Sequence, residues 1–262
     1  MVSRLSMSIF FNSAWIFPLF LWFTPLSELK HGFYRFSLGL ATILWGIASI
    51  ILFFTQSTVI DGNSNFLLTG MYLAVLLGFT AWIWNRKIIP FAVICAVSLM
   101  GSLVSHVLHA NVILPEASPH PASLLGAVCL VNVLFSMILG HWYLNVPDLK
   151  ITWLQRSVFV LSLFLLMRLI WNIFSFATSA ELVYDGMPVS AFNYLFMLDG
   201  IFLWIALFFG LAAPLIINFM TQRSLKIFST QSATGLLYIN IVLILMSEMI
   251  FKFYLFKYNL VL

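Results

Sequence analysis

The sequence PASLLGAVCLVNVLFSMILGHWYL, residues 121–144, contains no Asp, Glu, Lys or Arg. A helix needs about 20 mostly apolar residues to cross the hydrocarbon core of a bilayer, so this stretch is long enough. In hydrocarbon every backbone polar group needs a partner within the protein, and a helix supplies those partners within one segment. The stretch therefore predicts a transmembrane helix.

Apolar runs of similar length follow one another along the whole chain. The candidate spans are 8–25, 36–55, 66–84, 88–108, 121–144, 152–175, 193–217 and 233–254. The alternation of apolar and polar residues that marks the strands of a membrane barrel does not occur in them. We therefore expect an all-α, polytopic membrane helical bundle with about eight transmembrane helices. No polar stretch is long enough for a separate soluble domain, so residues 1–262 are expected to form a single integral membrane domain.

The composition also indicates that lipid surrounds most of the chain. Hydrophobic residues make up 63% of it and charged residues only 8%, whereas soluble domains contain about 25% charged residues. The first run, 8–25, follows Arg4 and resembles a signal peptide, but no small-residue cleavage site follows it. We interpret this run as a retained span, and seven spans remain if it does not cross the membrane.

The basic residues are concentrated in alternate loops. Loops 55–65, 109–120 and 176–192 contain no Lys or Arg. The other loops contain Lys30, Arg35, Arg86, Lys87, Lys150, Arg156, Arg223 and Lys226. The positive-inside rule predicts that these basic loops face the cytoplasm, which fits a bacterial inner membrane. With eight spans both termini face outward, where Arg4, Lys252 and Lys257 weaken the asymmetry.

Several ionisable residues inside the spans are expected at similar depths. At 1.5 Å of rise per residue, Arg168 lies ~24 Å and Glu248 ~22 Å into spans that run outward. Asp199 lies ~9 Å below the outer boundary of a span that runs inward, in a hydrocarbon core ~30 Å thick. His106 falls near the outer end of its own span. We therefore expect these four residues to form one layer in the outer half of the membrane.

Grouping the charges lowers the cost of burying them. One charge at mid-membrane costs roughly 2.5–3.5 kcal/mol on insertion scales. Arg168 paired with one carboxylate leaves the second carboxylate to bind a proton, a cation or another ligand. Asn172 follows Arg168 by four residues, so it lies on the same helical face and is expected to join the site. The alternatives are a structural ion pair between helices and separate snorkelling of each group to the outer interface.

The histidines suggest a second kind of site. Two neutral imidazoles from different helices can ligate a b-type haem. His31 and His141 are both expected near the cytoplasmic boundary, and His106 or His109 with His120 would form an outer pair. Haem b and quinone are therefore the cofactors to consider.

A polar cluster is expected at the cytoplasmic face, where the fifth span ends and the eighth begins. Its residues are Tyr143, Asn145, Ser229, Thr230, Gln231 and Ser232. Hydroxyls in the second segment are expected to cap the eighth helix, whose start also suits an anion. Cys95 and Cys129 lie in apolar runs without metal-binding spacing, so we expect no metal site.

Three functions fit these features. The aromatic content of 17%, the five histidines and the ionisable layer favour a membrane subunit of a redox or respiratory assembly that handles quinone, haem or protons. The same layer also fits a proton- or ion-coupled transporter of small solutes. A structural or assembly subunit is the third alternative. No P-loop, HExxH motif or nucleophile elbow occurs in the sequence, and no basic patch indicates nucleic acid. The expected partners are the lipid bilayer and other membrane subunits.

Overall fold

The computed structural model describes residues 1–56, 63–84, 86, 89–113, 121–146, 149–178, 181–184 and 186–262. The first helices are α1 (Val2–Phe20), α2 (Leu26–Gln56), α3 (Asn63–Ile83), α4 (Phe91–Leu108), α5 (Pro121–Asn145) and α6 (Thr152–Ala177). A hairpin of β1 (Glu181–Tyr184) and β2 (Met187–Ser190) follows. The remaining helices are α7 (Ala191–Tyr194), α8 (Ile201–Leu207), α9 (Ala213–Lys226) and α10 (Thr230–Tyr258).

Eight helical segments within this described part of the chain are long and apolar enough to cross a membrane. The first is Val2–Phe23, so the N-terminal run forms a helix of spanning length. The seventh is Leu198–Lys226, in which a π-helical turn at Phe208–Ala212 joins α8 to α9. The predicted all-α polytopic bundle is confirmed. Loop 176–192, expected only as a connection, contains the β1–β2 hairpin.

Large apolar side chains cover much of the outer surface of these helices. Phe54, Ile170 and Val242, for example, are 73%, 65% and 64% exposed. In water each such side chain would forfeit roughly 1.5–3 kcal/mol of burial free energy, and lipid removes that cost. The chain therefore has the architecture of an integral membrane protein.

The chain divides into two compact units. The N-terminal unit contains Val2–Pro119 and Asn145–Trp153, and the C-terminal unit contains His120–Leu144 and Leu154–Leu262. The expectation of a single domain stays a prediction.

Aromatic side chains form the core of the N-terminal unit. Phe11 of α1 packs edge-on against Trp45 of α2, with ring centroids 4.6 Å apart, and Trp45 packs against Tyr72 of α3 at 4.4 Å. A Cβ at Gly101 of α4 would overlap the Tyr72 hydroxyl and the Trp15 side chain. Glycine at this position therefore allows α4 to lie close to α1 and α3, as small residues do between membrane helices.

Polar side chains join the helices of the C-terminal unit. Ser136 of α5 lies 2.6 Å from Ser157 of α6 between their hydroxyl oxygens. The Asn218 amide on α9 donates to the Val158 carbonyl of α6 at 2.9 Å. These groups are buried, so the bonds satisfy donors and acceptors that lipid cannot.

The connections that follow α6 and α10 in the C-terminal unit have well-defined turns. In the hairpin Tyr184 pairs with Met187, and Gly186 supplies the positive φ of 80° in the turn. After α10, Asn259 adopts a left-handed conformation with φ 53°, and the chain turns back so that the Leu260 amide donates to the Tyr254 carbonyl. This turn buries Leu260 and Leu262.

One ion pair at the start of α2 lies outside the spans. The Glu28 carboxylate accepts from the Lys150 ammonium at 2.9 Å and from the Trp153 indole N–H at 2.6 Å. These hydrogen bonds, that of Lys150 first and that of Trp153 second, lower the pKa of Glu28 from its ordinary value of 4.5. Because the folded-state pKa is depressed, the contact contributes stability above pH 4.5 that is lost as the pH falls through the lowered pKa.

We expect the indole N–H resonance of Trp153 to hold its position from neutral pH down to 4.5 and to move only below it. The reason is that protonation of Glu28 removes the charge from its hydrogen-bond acceptor. An NMR titration of 15N-labelled tryptophan in nanodiscs measures this change. In Glu28→Gln the Trp153 resonance should not move below pH 4.5. If it moves there as in the wild type, Glu28 is not the group that titrates beside Trp153.

Candidate functional site

Helices α6 and α10 bring together Arg168 and Glu248, two of the ionisable residues that are predicted at similar depths in the membrane. The Arg168 guanidinium nitrogen Nη2 lies 3.4 Å from Oε1 of Glu248. Their side chains are 3% and 5% exposed, so this is a buried ion pair. Taking two charges out of water is expensive, and it is repaid only where the geometry and further hydrogen bonds are good. The residues around the pair therefore determine whether its two charges are stabilised.

Lys252 is a third charged member of this group. Its ammonium nitrogen lies 3.4 Å from Oε2 of Glu248, and its side chain is 3% exposed. It also donates to the Ser123 hydroxyl at 2.9 Å. The sequence predicts Lys252 near the outer end of the eighth span, 233–254, and does not include it in the ionisable layer. In the structure α10 continues to Tyr258, so Lys252 lies inside the helix beside Glu248. The Glu-to-Lys spacing of four residues, which places both on one helical face, was the signal that could have found it.

Helix α5 completes the surroundings of the three charges, which we call the RKE cluster (Arg168, Lys252 and Glu248). Arg168 Nη1 donates to the Ala122 carbonyl, and the guanidinium carbon lies 4.9 Å from the ring centroid of Phe251. A Cβ at Gly126 would overlap the Glu248 carboxylate. Glycine at 126 therefore makes the space in which the carboxylate contacts both cations.

The charges of the RKE cluster do not balance when all three groups are ionised. Two cations, Arg168 and Lys252, share one carboxylate, that of Glu248. Cys129 is a further titratable group on α5, buried and close enough to interact electrostatically with Glu248 and Arg168. A net charge of +1 in a low-dielectric interior is costly, so proton loss or an added anion lowers the energy of the cluster.

Two buried polar atoms near the cluster have no hydrogen-bond partner among the described residues. They are Nε of Arg168 and Oδ1 of Asn172. Asn172 is 1% exposed, and its amide donates to the Arg168 backbone carbonyl at 3.0 Å. Asn172 thus lies on the Arg168 face of α6, as expected, and it contacts the helix backbone. Buried polar groups usually have partners, so unpartnered ones beside excess charge indicate room for a water molecule or a ligand.

A small cavity adjoins the cluster. Its volume is about 10 Å³, which is the space that about one water molecule requires. Its lining residues are Ala122, Ser123, Arg168, Phe251, Lys252, Leu255, Val261 and Leu262. Both cations therefore face it, and Val261 and Leu262 cover it from the C-terminal turn.

Asp199 makes its contacts at a different place. Its carboxylate accepts from the Tyr184 hydroxyl of the hairpin, and its backbone carbonyl accepts from the Tyr254 hydroxyl at 3.3 Å. Tyr254 follows Glu248 by six residues on α10, which is roughly 9 Å of helix. The hydrogen bonds of Asp199 are therefore to Tyr184 and Tyr254 and not to the RKE cluster, and its depth in the membrane stays a prediction. The seventh span begins at Leu198 rather than at 193, so Asp199 lies at its first turn.

The histidines are distributed over both units. His106 has an exposed side chain in the N-terminal unit, and its place in the layer stays a prediction. His109 is buried, with Nε2 3.1 Å from the Ser8 hydroxyl and Nδ1 2.7 Å from the Ser105 carbonyl. Ligation of a haem by His109 would break one of these contacts.

The other haem candidates remain untested. His31 is half-buried near the start of α2 in the N-terminal unit, and His141 is exposed near the end of α5 in the C-terminal unit. His120 lies outside the described residues. Haem binding by these histidines therefore stays a prediction.

The predicted cytoplasmic polar cluster is also distributed. Tyr143 is half-buried in the C-terminal unit, whereas Asn145 is exposed and belongs to the N-terminal unit. The Ser229 hydroxyl donates to the Ser232 hydroxyl at 2.9 Å and makes no capping bond to α10 in the structure. Thr230 begins α10, and Gln231 is exposed beside it. A binding role for this segment stays a prediction.

Comparisons with protein-family models, with curated proteins and with solved structures found no match to this chain.

Proposed function

We propose that the chain is a proton-handling integral membrane subunit of a redox or respiratory type of assembly, with the RKE cluster as the proton site. One observation carries the proposal: a single buried carboxylate, Glu248, contacts two buried cations, Arg168 and Lys252. Arginine stays protonated under all ordinary conditions. In the state of net charge +1 the Glu248 side chain is already a carboxylate, so the proton that exchanges is that of Lys252.

Loss of one proton changes the cluster from a net charge of +1 to zero. In hydrocarbon such a change is energetically large, so the two protonation states differ strongly in their interactions. The protonated and the deprotonated cluster therefore favour different arrangements of the neighbouring groups. Proton-coupled chemistry requires such a difference. The adjoining cavity supplies space for about one water molecule, and a water is sufficient to pass a proton.

A proton-coupled solute transporter is the alternative function from the sequence, and it uses the same charges. The cavity beside the RKE cluster, about 10 Å³, is too small for an organic solute such as a sugar or an amino acid. This observation favours protons as the species that the cluster handles. With the positive-inside rule, we place the basic loops on the cytoplasmic side of a bacterial inner membrane.

The protonation state of Lys252 tests the proposal directly. The wild-type protein, reconstituted in nanodiscs with 15N-labelled lysine side chains, is titrated from about pH 5 to 9, and Lys252→Arg identifies the Lys252 signal. We expect the Lys252 nitrogen to change from ammonium to amine as the pH is raised. Lys257, a lysine near the end of α10, provides the comparison, because its side chain is not enclosed.

A Lys252 signal that stays constant over the whole range would overturn the proton-exchange proposal. The type of assembly has a separate test, which is purification from native membranes. We expect redox subunits to purify with the chain. Solute-driven proton entry into liposomes that contain only this protein would instead support the transporter.

A further inference from the structure

The cavity beside the RKE cluster has the charge and the size of a site for a small anion. It is lined by Arg168 and Lys252, whereas Glu248 is not among the described residues that line it. Glu248 contacts the same two cations through Nη2 of Arg168 and Nζ of Lys252. An occupant of the cavity therefore meets the two positive charges without displacing the carboxylate.

Unsatisfied hydrogen-bonding capacity also points to an occupant. Nε of Arg168 is a buried N–H donor without a partner among the described residues, and the side chain is 3% exposed. A guanidinium N–H buried in this way loses its hydrogen bond to water and gains nothing in return. The Ser123 hydroxyl accepts from Lys252, and a hydroxyl that accepts one hydrogen bond can also donate one.

The size of the cavity restricts the ligand class. A volume of about 10 Å³ leaves room for roughly one water molecule or one small monatomic ion, so sulfate, phosphate and carboxylic acids are excluded. Apolar side chains, those of Phe251, Leu255 and Leu262, form the rest of the lining. A weakly hydrated monovalent anion tolerates such surroundings better than a divalent one.

We infer that the cavity between Ser123, Arg168 and Lys252 binds a halide ion such as chloride when the RKE cluster carries its net charge of +1. The inference rests on the proposed function, because the bound anion and the exchangeable proton compensate the same charge. Two states result: a protonated cluster with the anion bound, and a deprotonated cluster with the cavity free of it. Proton and halide are then taken up together and released together.

Linkage makes this inference quantitative. If chloride binds only the protonated state, the titration midpoint of the cluster rises by about one pH unit per tenfold increase in chloride above its dissociation constant. The reciprocal effect is weaker chloride binding at high pH. The charged groups beside Lys252 are Glu248 and Arg168, and Cys129 on α5 interacts electrostatically with both of them.

The test repeats the 15N-lysine titration at about 1, 10 and 100 mM sodium chloride, with sodium gluconate holding the ionic strength constant. Gluconate is too large for the cavity, so it controls for screening. We expect the midpoint to rise with chloride. Thermal unfolding at pH 6 in the same buffers should show a higher Tm in chloride, lost in Lys252→Met and retained in Lys257→Met.

The outcomes separate the two proposals. A midpoint that is the same in chloride and gluconate, together with equal Tm values, overturns halide binding while proton exchange stands. A Lys252 signal that never titrates overturns proton exchange. In that case a chloride-dependent Tm that Lys252→Met abolishes still supports the anion site, and equal Tm values reject it.

Discussion

Glu248→Gln is expected to lower the free energy of unfolding by about 3–5 kcal/mol. The substitution leaves Arg168 and Lys252, both 3% exposed on their side chains, buried without their shared carboxylate. Removal of one partner from a buried charge pair is strongly destabilising because the remaining charge is uncompensated, and here two charges remain. Unfolding in mixed micelles, followed by circular dichroism against denaturant concentration, measures the effect.

The matched variants distinguish net charge from simple loss of a contact. Arg168→Met and Lys252→Met each remove one cation and leave a neutral pair, so each should cost less than Glu248→Gln. Glu181→Gln, an exposed acid of the hairpin, should change the free energy of unfolding by less than about 0.5 kcal/mol. If removal of either cation costs as much as removal of the acid, the excess positive charge is not what governs the cluster.

Gly126→Ala is expected to destabilise the protein by about 1–3 kcal/mol and to separate Glu248 from at least one cation. An added Cβ would occupy the position of the carboxylate group, and two cations hold that group in place. Alanine is intrinsically the better helix residue by up to about 1 kcal/mol, so a loss of stability opposes its propensity. The unfolding titration and the 15N signal of Lys252 both report the change.

Gly235→Ala is the control for this substitution. Gly235 lies in α10 of the same unit, and a Cβ there meets nothing within 4 Å. We expect the alanine variant to be as stable as the wild type or slightly more stable, with an unchanged Lys252 signal. Equal effects of the two alanines would mean that the close approach at Gly126 is unimportant.

The membrane architecture could be predicted from hydropathy because lipid imposes a simple rule on each segment separately. Twenty apolar residues and satisfied backbone groups suffice, and all eight spans meet these conditions. Residue counting also predicts similar depths for Arg168 and Glu248, and the structure shows these two side chains in contact. No knowledge of helix neighbours was needed for that step.

The rest of the site depends on where helices begin and end and on which helices are neighbours. Asp199 lies in the first turn of its span, because that span begins at Leu198, five residues later than the apolar pattern predicts. Lys252 was not included in the site because it lies near the end of the predicted span 233–254, where a basic side chain is expected to reach the interface. The role of Gly126 follows only from the close approach of α5 to Glu248, which a sequence pattern does not contain.

The uneven charge count of the RKE cluster also has an electrical consequence. Moving one elementary charge through 100 mV is worth about 2.3 kcal/mol, and a group inside a span experiences part of that drop. A proton that reaches Lys252 from either side of the bilayer therefore works with or against the voltage across it. At the same pH, the average protonation of the cluster would therefore differ between cells with and without a membrane potential.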